Sequence, residues 1–256
     1  MTKNIKVLIL GGEKESTKIL FNHLRKNFRI VKVIIEEPVD RIKFIKRRIK
    51  RLGVFKVIGQ LLFQVIIVRI LEANNHNRIK NLKDDLGLDS SDIPIDFTEN
   101  VKSINNSATA KILENKDYDI VIVNGTRIIS KKILAIISSP IINTHVGITP
   151  LYRGVHGAYW ALINNDEKNC GVTVHLVDKG IDTGGVLAQA NIKVESTDNF
   201  LSYPLKQLAV ALPLLNSLIE NFSALETIKP PEGKSKLWYH PTFWSYIYNR
   251  VVNKIK

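Results

Sequence analysis

The sequence predicts an α/β fold: a mostly parallel sheet around one core, with a helical insertion at about 40–72 and a short C-terminal tail. Three observations carry this expectation. The chain opens on an apolar run, a glycine pair, a helical pattern and a second apolar run within about 35 residues, which is the signature of a βαβ unit. Further β-rich runs recur downstream, separated by helical spacing. At 256 residues, with 45% hydrophobic and 24% charged side chains, the chain has the composition of a globular protein and enough length to bury a substantial core.

Taken in order, "IKVLIL" (5–10) is the first strand, ending at Gly11 and Gly12. "ESTKILFNHLRKN" follows with helical spacing, and "IVKVIIEE" (30–37) is the second strand. The turn "GGEKES" lacks G-x-G-x-x-G, so no dinucleotide site is expected there. From Asp40 to Glu72 a basic amphipathic half leads into a nearly apolar half, which Lys56, Gln60, Gln64 and Arg69 interrupt. That segment falls short of a membrane span and is expected either to pack on the sheet or to serve as a membrane-surface or acceptor-binding helix. Residues 73–91 are polar and read as a loop.

"DIPIDF" (92–97), "YDIVIV" (118–123) and "PIINTH" (140–145) read as strands, with helical stretches around 107–115 and 130–138. "CGVTVHLVD" (170–178) and "GVLAQANIKV" (185–194) alternate as strands do, and 199–222 returns to an amphipathic helical period. The expected organisation is one unit over 1–225 and an aromatic-rich tail over 226–256, whose "LWYHPTFWSYIY" suits a dimer contact. A single cysteine, Cys170, excludes an intramolecular disulfide and suits a reducing, cytoplasmic setting, and the opening residues carry no signal-peptide pattern.

The formal charge is +13, from 37 basic and 24 acidic residues, and it favours anionic partners. It is unevenly spread: eight basic residues and no acidic one lie between Arg41 and Lys56. No nucleic-acid-binding motif accompanies them.

The densest chemistry is "NTHVGITPLYR" (143–153), followed by "DTGG" (182–185). In a parallel sheet, ligands bind beyond the carboxyl ends of strands. Asn143 and His145 close one strand and Asp182 follows another, so the three can meet at one edge. An Asn amide donates to an oxygen gaining negative charge, a His shuttles a proton or donates likewise, and an Asp orients the His or accepts a proton. This trio suits acyl transfer to an amine without a nucleophilic Ser or Cys. Taken singly, each residue also has a plain structural reading: a turn asparagine, a satisfied strand-end histidine, a turn-capping aspartate. His175, in a strand pattern with Thr173, reads as structural.

On these residues the chain resembles the formyltransferases that use 10-formyltetrahydrofolate. The motifs are N-x-H at Asn143 and His145, P-x-Y-R-G at Pro150, Tyr152, Arg153 and Gly154, G-x-T-x-H at Gly171, Thr173 and His175, and D-x-G at Asp182 and Gly184. The resemblance extends more loosely from about residue 5 to about 195. It implies a Rossmann-like formyltransferase fold, a catalytic unit over 1–225, and Asn143, His145 and Asp182 as catalytic residues. It further implies 10-formyltetrahydrofolate as formyl donor, held by the loop after the central strand at Asn124, Gly125, Thr126, Arg127, Ile128 and Ile129. Val177, Gly180 and Ile181 would form the opposite wall.

The resemblance departs at "GIT" (147–149), where the family usually has S-L-L, which bears on the acceptor side. The short tail disfavours the branch acting on tRNA, and "GGEKES" matches the glycinamide ribonucleotide branch poorly. The expected acceptor is therefore a nucleotide-linked amino sugar of lipopolysaccharide or capsule synthesis, touched by Lys14, Tyr152, Arg153 and His156, with glycinamide ribonucleotide as the alternative. No metal, no nucleic acid and no stable membrane insertion are expected. A non-catalytic binding module on the same scaffold is the reading from a different class.

Overall fold

The computed structural model describes residues 3–256. The chain begins with β1 (Lys3–Gly12), α1 (Glu15–Leu24) and β2 (Phe28–Glu36), the βαβ unit read from the sequence. The insertion follows as α2 (Arg41–Leu52), α3 (Val54–Leu62), a π-helical turn over 63–68 and α4 (Arg69–Asp85). It is therefore longer than 40–72, and the polar stretch after 72 is helix rather than loop. Polarity misleads there because the outer turns of α4 are held by polar tertiary contacts. Asn199 donates to Asn75 at 3.0 Å, and Arg78 pairs with Asp198 at 3.2 Å.

Next come β3 (Thr98–Val101), α5 (Ser107–Glu114), β4 (Ile120–Asn124), α6 (Lys131–Ile136) and β5 (Ile141–His145). The strand expected at 92–97 starts instead at Thr98, after a single 3₁₀ turn over Ile95–Phe97. Pro94 has no N–H to offer a sheet ladder, which delays the strand. The short β6 (Arg153–Gly154), α7 (Gly157–Ile163), β7 (Gly171–Leu176), β8 (Val186–Asn191) and α8 (Ser202–Glu220) complete the main unit.

The sheet has seven strands in the order β3-β2-β1-β4-β5-β7-β8. The first five run parallel, while β7 and β8 are antiparallel to their neighbours. Alternation along β1 and β4 divides the core between two faces. Val7, Ile9, Ile120 and Ile122 pack with Phe21 of α1 and Leu212 and Leu215 of α8. Leu8, Leu10, Val121 and Val123 pack with Leu113 of α5 and Ile133 of α6.

Residues 226–256 pack onto the same body. They form β9 (Leu237–Trp238), paired with β6, and α9 (Phe243–Val251). Tyr246 of α9 is 1% exposed and joins Phe63, Tyr159 and Phe200 in an aromatic cluster. The tail and the insertion thus share one core, with ring centroids of Phe63 and Tyr246 5.1 Å apart.

Candidate active site

A cavity of about 680 Å³ opens where β1, β4 and β5 end. Its floor carries Asn143, His145 and Asp182, the three residues proposed from the motif. Asn143 is level with Val123 in the β4–β5 register, and His145 stands two residues beyond it. Asp182 arrives differently from the sequence expectation. β7 is antiparallel to β5, so its end points away from the carboxyl ends of the parallel strands. The loop over 177–185 turns back and returns Asp182 to the site, with Leu176 N–H bound to the Gly185 carbonyl at 2.9 Å. Asp182 adopts a left-handed φ of 51°, which aspartate tolerates better than most residues.

Hydrogen bonds fix the donors and acceptors. His145 Nε2 lies 2.7 Å from the Tyr152 carbonyl, which only accepts, so Nε2 carries a hydrogen. His145 Nδ1 faces Asp182 Oδ2 at 3.4 Å. Burial pushes the imidazole pKa down, and the Asp182 charge and Tyr152 carbonyl offset that only in part. Burial pushes the Asp182 carboxyl up, but the His175 contact, the His145 ring and the Gly154 N–H at 2.9 Å outweigh it. Asp182 is consequently held below the ordinary carboxylate range, as an ionised group beside a neutral imidazole. The expectation that His145 also donates to a developing oxyanion is corrected here, since one ring nitrogen is bound to Tyr152 and the other faces Asp182.

His175 belongs to the site rather than to the core alone. Its Nδ1 lies 2.8 Å from the Leu176 carbonyl, and its Nε2 lies 3.1 Å from the Asn143 amide nitrogen and 3.7 Å from Asp182 Oδ1. The His175 contact turns the Asn143 NH₂ group into the cavity, and its second N–H makes no other hydrogen bond among the described residues. The signal for His175 was present in the sequence, but only the β5–β7 register puts it opposite Asn143.

The loop after β4 forms one wall. Gly125 turns it with a φ of 69°, and a side chain on Gly12 would come within 2.7 Å of the Gly125 carbonyl. Thr126, Ile128 and Ile129 line the cavity, Ile129 from a buried position. Arg127 also lines the cavity and braces its wall. Its guanidinium pairs with buried Glu36 at 2.5 Å, and its N–H donates to the same carboxylate at 2.9 Å. Glu36 also accepts from Ile104 N–H at 2.7 Å, making it the anchor of this wall, and sequence reasoning missed it. Asn124 ties the wall to α1 through Ser16 and Thr17. Val177, Gly180 and Ile181 line the same cavity.

The acceptor residues divide. Lys14 and His156 line the cavity, but Tyr152 and Arg153 lie behind its wall. Tyr152 is buried, donates its hydroxyl to Asp166 at 2.8 Å and stacks on Trp238. Arg153 donates to the Ile181 carbonyl at 3.0 Å and so pins the Asp182 loop instead of reaching an acceptor. His156 stands before α7 without capping it and faces His240 of the tail at 2.9 Å between ring nitrogens. Burial, then neighbouring Arg48 and Lys14, pushes His240 from 6.5 down to about 4. No sequence signal places His240, because nothing in the pattern shows the tail folding back to the cavity.

Gly147, at the departure from the expected motif, has a steric reason. A side chain there would come within 2.3 Å of the Tyr152 carbonyl and 2.8 Å of His145 Nε2. Only glycine permits those two groups to meet in front of it.

A family model described as formyl transferase matches residues 65–206, more than half of the chain. The chain belongs to the formyl transferase family. The family's enzymes use 10-formyltetrahydrofolate as formyl donor. The chain is similar to methionyl-tRNA formyltransferase of Thermodesulfovibrio yellowstonii, with 35% identity over 143 residues, covering 56% of this chain and 46% of that protein. It is also similar to GDP-perosamine N-formyltransferase of Brucella melitensis, with 34% identity over 106 residues, covering 41% of this chain and 40% of that one. It spans less than half the length of both curated relatives. Among solved structures, a sugar N-formyltransferase from Shewanella sp FDAARGOS_354 superposes with a TM-score of 0.54 at 15% identity, covering 91% of this chain and 76% of that one. A phosphoribosylglycinamide formyltransferase from Anaplasma phagocytophilum gives a TM-score of 0.54 at 20% identity, covering 86% and 89%. These two likenesses establish a shared fold.

Proposed function

We propose that the chain transfers a formyl group from 10-formyltetrahydrofolate to the primary amine of a nucleotide-linked amino sugar, a step in surface-polysaccharide synthesis carried out in the cytoplasm. The observation that carries this reading is the meeting of Asn143, His145 and Asp182 on the floor of one cavity with a basic, histidine-bearing mouth. The cavity fits the donor's character: apolar Val123, Val177 and Ile181 suit a flat heterocycle, and the chain turns at Gly125 and Gly180 bring main-chain groups to it. When bound, the donor supplies an activated formyl carbon. The remaining chemistry belongs to the chain.

Asn143, oriented by His175, directs an N–H at the formyl oxygen as negative charge develops there. Removing one such donor typically costs about 10²–10³ in rate. Asp182 and His145 form the proton acceptor. The amine's proton, lost as the amine becomes an amide, is held between Asp182 Oδ2 and His145 Nδ1, where the carboxylate stabilises the imidazolium so formed, and it passes to the departing donor nitrogen as the bond between that nitrogen and the formyl carbon breaks. Lys14 at the cavity wall supplies positive charge toward a diphosphate.

The sugar N-formyltransferase among the solved structures and the GDP-perosamine relative support this acceptor class. The glycinamide ribonucleotide reading is supported by a neighbour of similar size and fold. A turnover screen with 10-formyltetrahydrofolate separates them, with a panel of nucleotide-linked 4-amino sugars, glycinamide ribonucleotide and charged initiator tRNA. Release of tetrahydrofolate with one formyl mass added to an amino sugar is the expected result. Formylation of another acceptor alone would replace the substrate assignment, and no formylation of any would remove the activity.

A further inference from the structure

From Val54 to Asp85 the helix runs for 32 residues, and its apolar part has a mean hydropathy of 2.0, enough in length and composition to cross a membrane. One face is already committed, because Phe63, Ile67 and Leu71 are buried in the aromatic cluster with Tyr159 and Tyr246. The opposite face has no such cover. Phe55 is 84% exposed, and Ile58, Leu62, Val65 and Ile70 continue the exposed stripe at three- to five-residue spacing. α9 packs against α3, with Trp244 over Gly59, and widens the stripe with exposed Val251.

Beside this stripe, α2 buries no residue at all. Arg41, Lys43, Lys46, Arg47, Lys50 and Lys56 are exposed, and none pairs with a carboxylate among the described residues. Arg48 links this helix to the site by donating to Gln60 at 2.7 Å, while Gln60 donates to the carbonyl of His240 at 2.8 Å.

We propose that α2, α3 and α9 form a docking face for an anionic lipid bilayer, seating the exposed apolar stripe at the headgroup boundary with the basic residues on lipid phosphates. The choice of occupant follows from charge and polarity together. A second copy of the chain would bring six unpaired cations against six more. A nucleic acid would satisfy the cations but leave the apolar stripe in water. An anionic bilayer satisfies both, as interfacial amphipathic helices do. The face borders the cavity mouth through Arg48, Gln60 and His240, so docking holds the active site close to the lipid surface. This inference does not depend on which acceptor is formylated.

The test uses the full chain and sedimentation with vesicles of phosphatidylcholine and phosphatidylglycerol, against vesicles of phosphatidylcholine alone. Binding to the anionic vesicles is expected, weakening as salt shortens the screening length. Lys46→Gln, Arg47→Gln and Lys50→Gln should each lower partitioning about fivefold. The double variant Phe55→Ser, Ile58→Ser should lower it as well at unchanged charge. All these side chains are exposed, so melting temperatures should stay near that of the unmodified chain, which separates lost docking from lost folding. Absence of binding to anionic vesicles at low salt would overturn the proposal. So would binding that none of these variants weakens, or a dimer dissociated by the Phe55→Ser, Ile58→Ser change in a chain that ignores vesicles. A preference for RNA over anionic vesicles would overturn it too.

Discussion

Asp182→Asn separates charge from shape at the centre of the site. Asparagine keeps the size of the side chain and can retain the hydrogen bond from Gly154 through its amide oxygen. It also tolerates the left-handed φ of 51° that alanine would strain. What disappears is one negative charge 3.4 Å from His145 Nδ1. At an effective dielectric of about 20, a charge pair at that separation interacts by about 5 kcal/mol. Even with that help the buried imidazole lies below its ordinary pKa, so desolvation exceeds the attraction. Without the carboxylate the imidazolium becomes inaccessible at neutral pH, and the site has no proton acceptor of useful strength. The expected result is a kcat lower by about 10²–10⁴, with KM little changed. The assay is steady-state release of tetrahydrofolate with the acceptor found in the screen.

A second readout of the same variant comes from stability. Because the folded carboxyl is held below its unfolded value, its contribution is present above about pH 4 and is lost as pH falls further through the folded value. The unmodified chain should therefore be more stable than the variant at pH 7, and the difference should fade in acid. A variant turning over within about threefold of the unmodified enzyme would refute the proton-acceptor assignment.

Three further predictions follow from named contacts. Gly147→Ala should separate His145 Nε2 from the Tyr152 carbonyl and cost about 1–3 kcal/mol in denaturant titration, with loss of turnover; unchanged stability would show that the turn relaxes freely. Tyr246→Ala removes a ring packed against Phe63, Tyr159 and Phe200 and should cost about 3–5 kcal/mol; a loss under about 1 kcal/mol would mean that the tail is not part of the core. His240 has its pKa lowered to about 4, so the unfolded chain binds a proton that the folded chain refuses between about pH 4 and 6.5. Stability should then fall as pH drops through that window, by at most about 1.4 kcal/mol per unit for this group, and His240→Gln should flatten the slope in urea midpoints measured across it. An identical slope in the variant would assign the effect to other histidines.

The sheet was legible because each buried strand had to be apolar and the helices between them had to alternate in period. The floor of the site was legible for a related reason. Asn143, His145 and Asp182 sit among apolar runs, where polar groups need a purpose, and all three line one cavity. Strand direction was not legible, since alternation in β7 is the same whichever way it runs. That one ambiguity hid the pairing of His175 with Asn143 and the return of the loop that carries Asp182. Local polarity failed for the opposite reason over 73–91, where a polar helix is held by polar partners more than a hundred residues away, as Asn75 is by Asn199.

The residues behind the wall show why a motif predicts a site better than it predicts roles. Tyr152 and Arg153 belong to the most recognisable stretch of the chain, yet neither lines the cavity. Tyr152 contributes its carbonyl to His145 and its hydroxyl to Asp166, and Arg153 contributes a clamp on Ile181. Both hold the geometry of the two catalytic candidates flanking them in the fold, His145 and Asp182. One part of the cavity lining is built by the opposite route, from a residue with no motif: His240 reaches it because β9 pairs with β6, and Gln60 of the insertion holds the His240 carbonyl. The motif-bearing stretch thus supplies Asn143 and His145 to the cavity, while the tail adds His240 to its lining and the insertion supports that residue from outside. Those two segments carry a sequence pattern that reports packing and charge rather than a ligand, which is why His240 has no signature in the sequence.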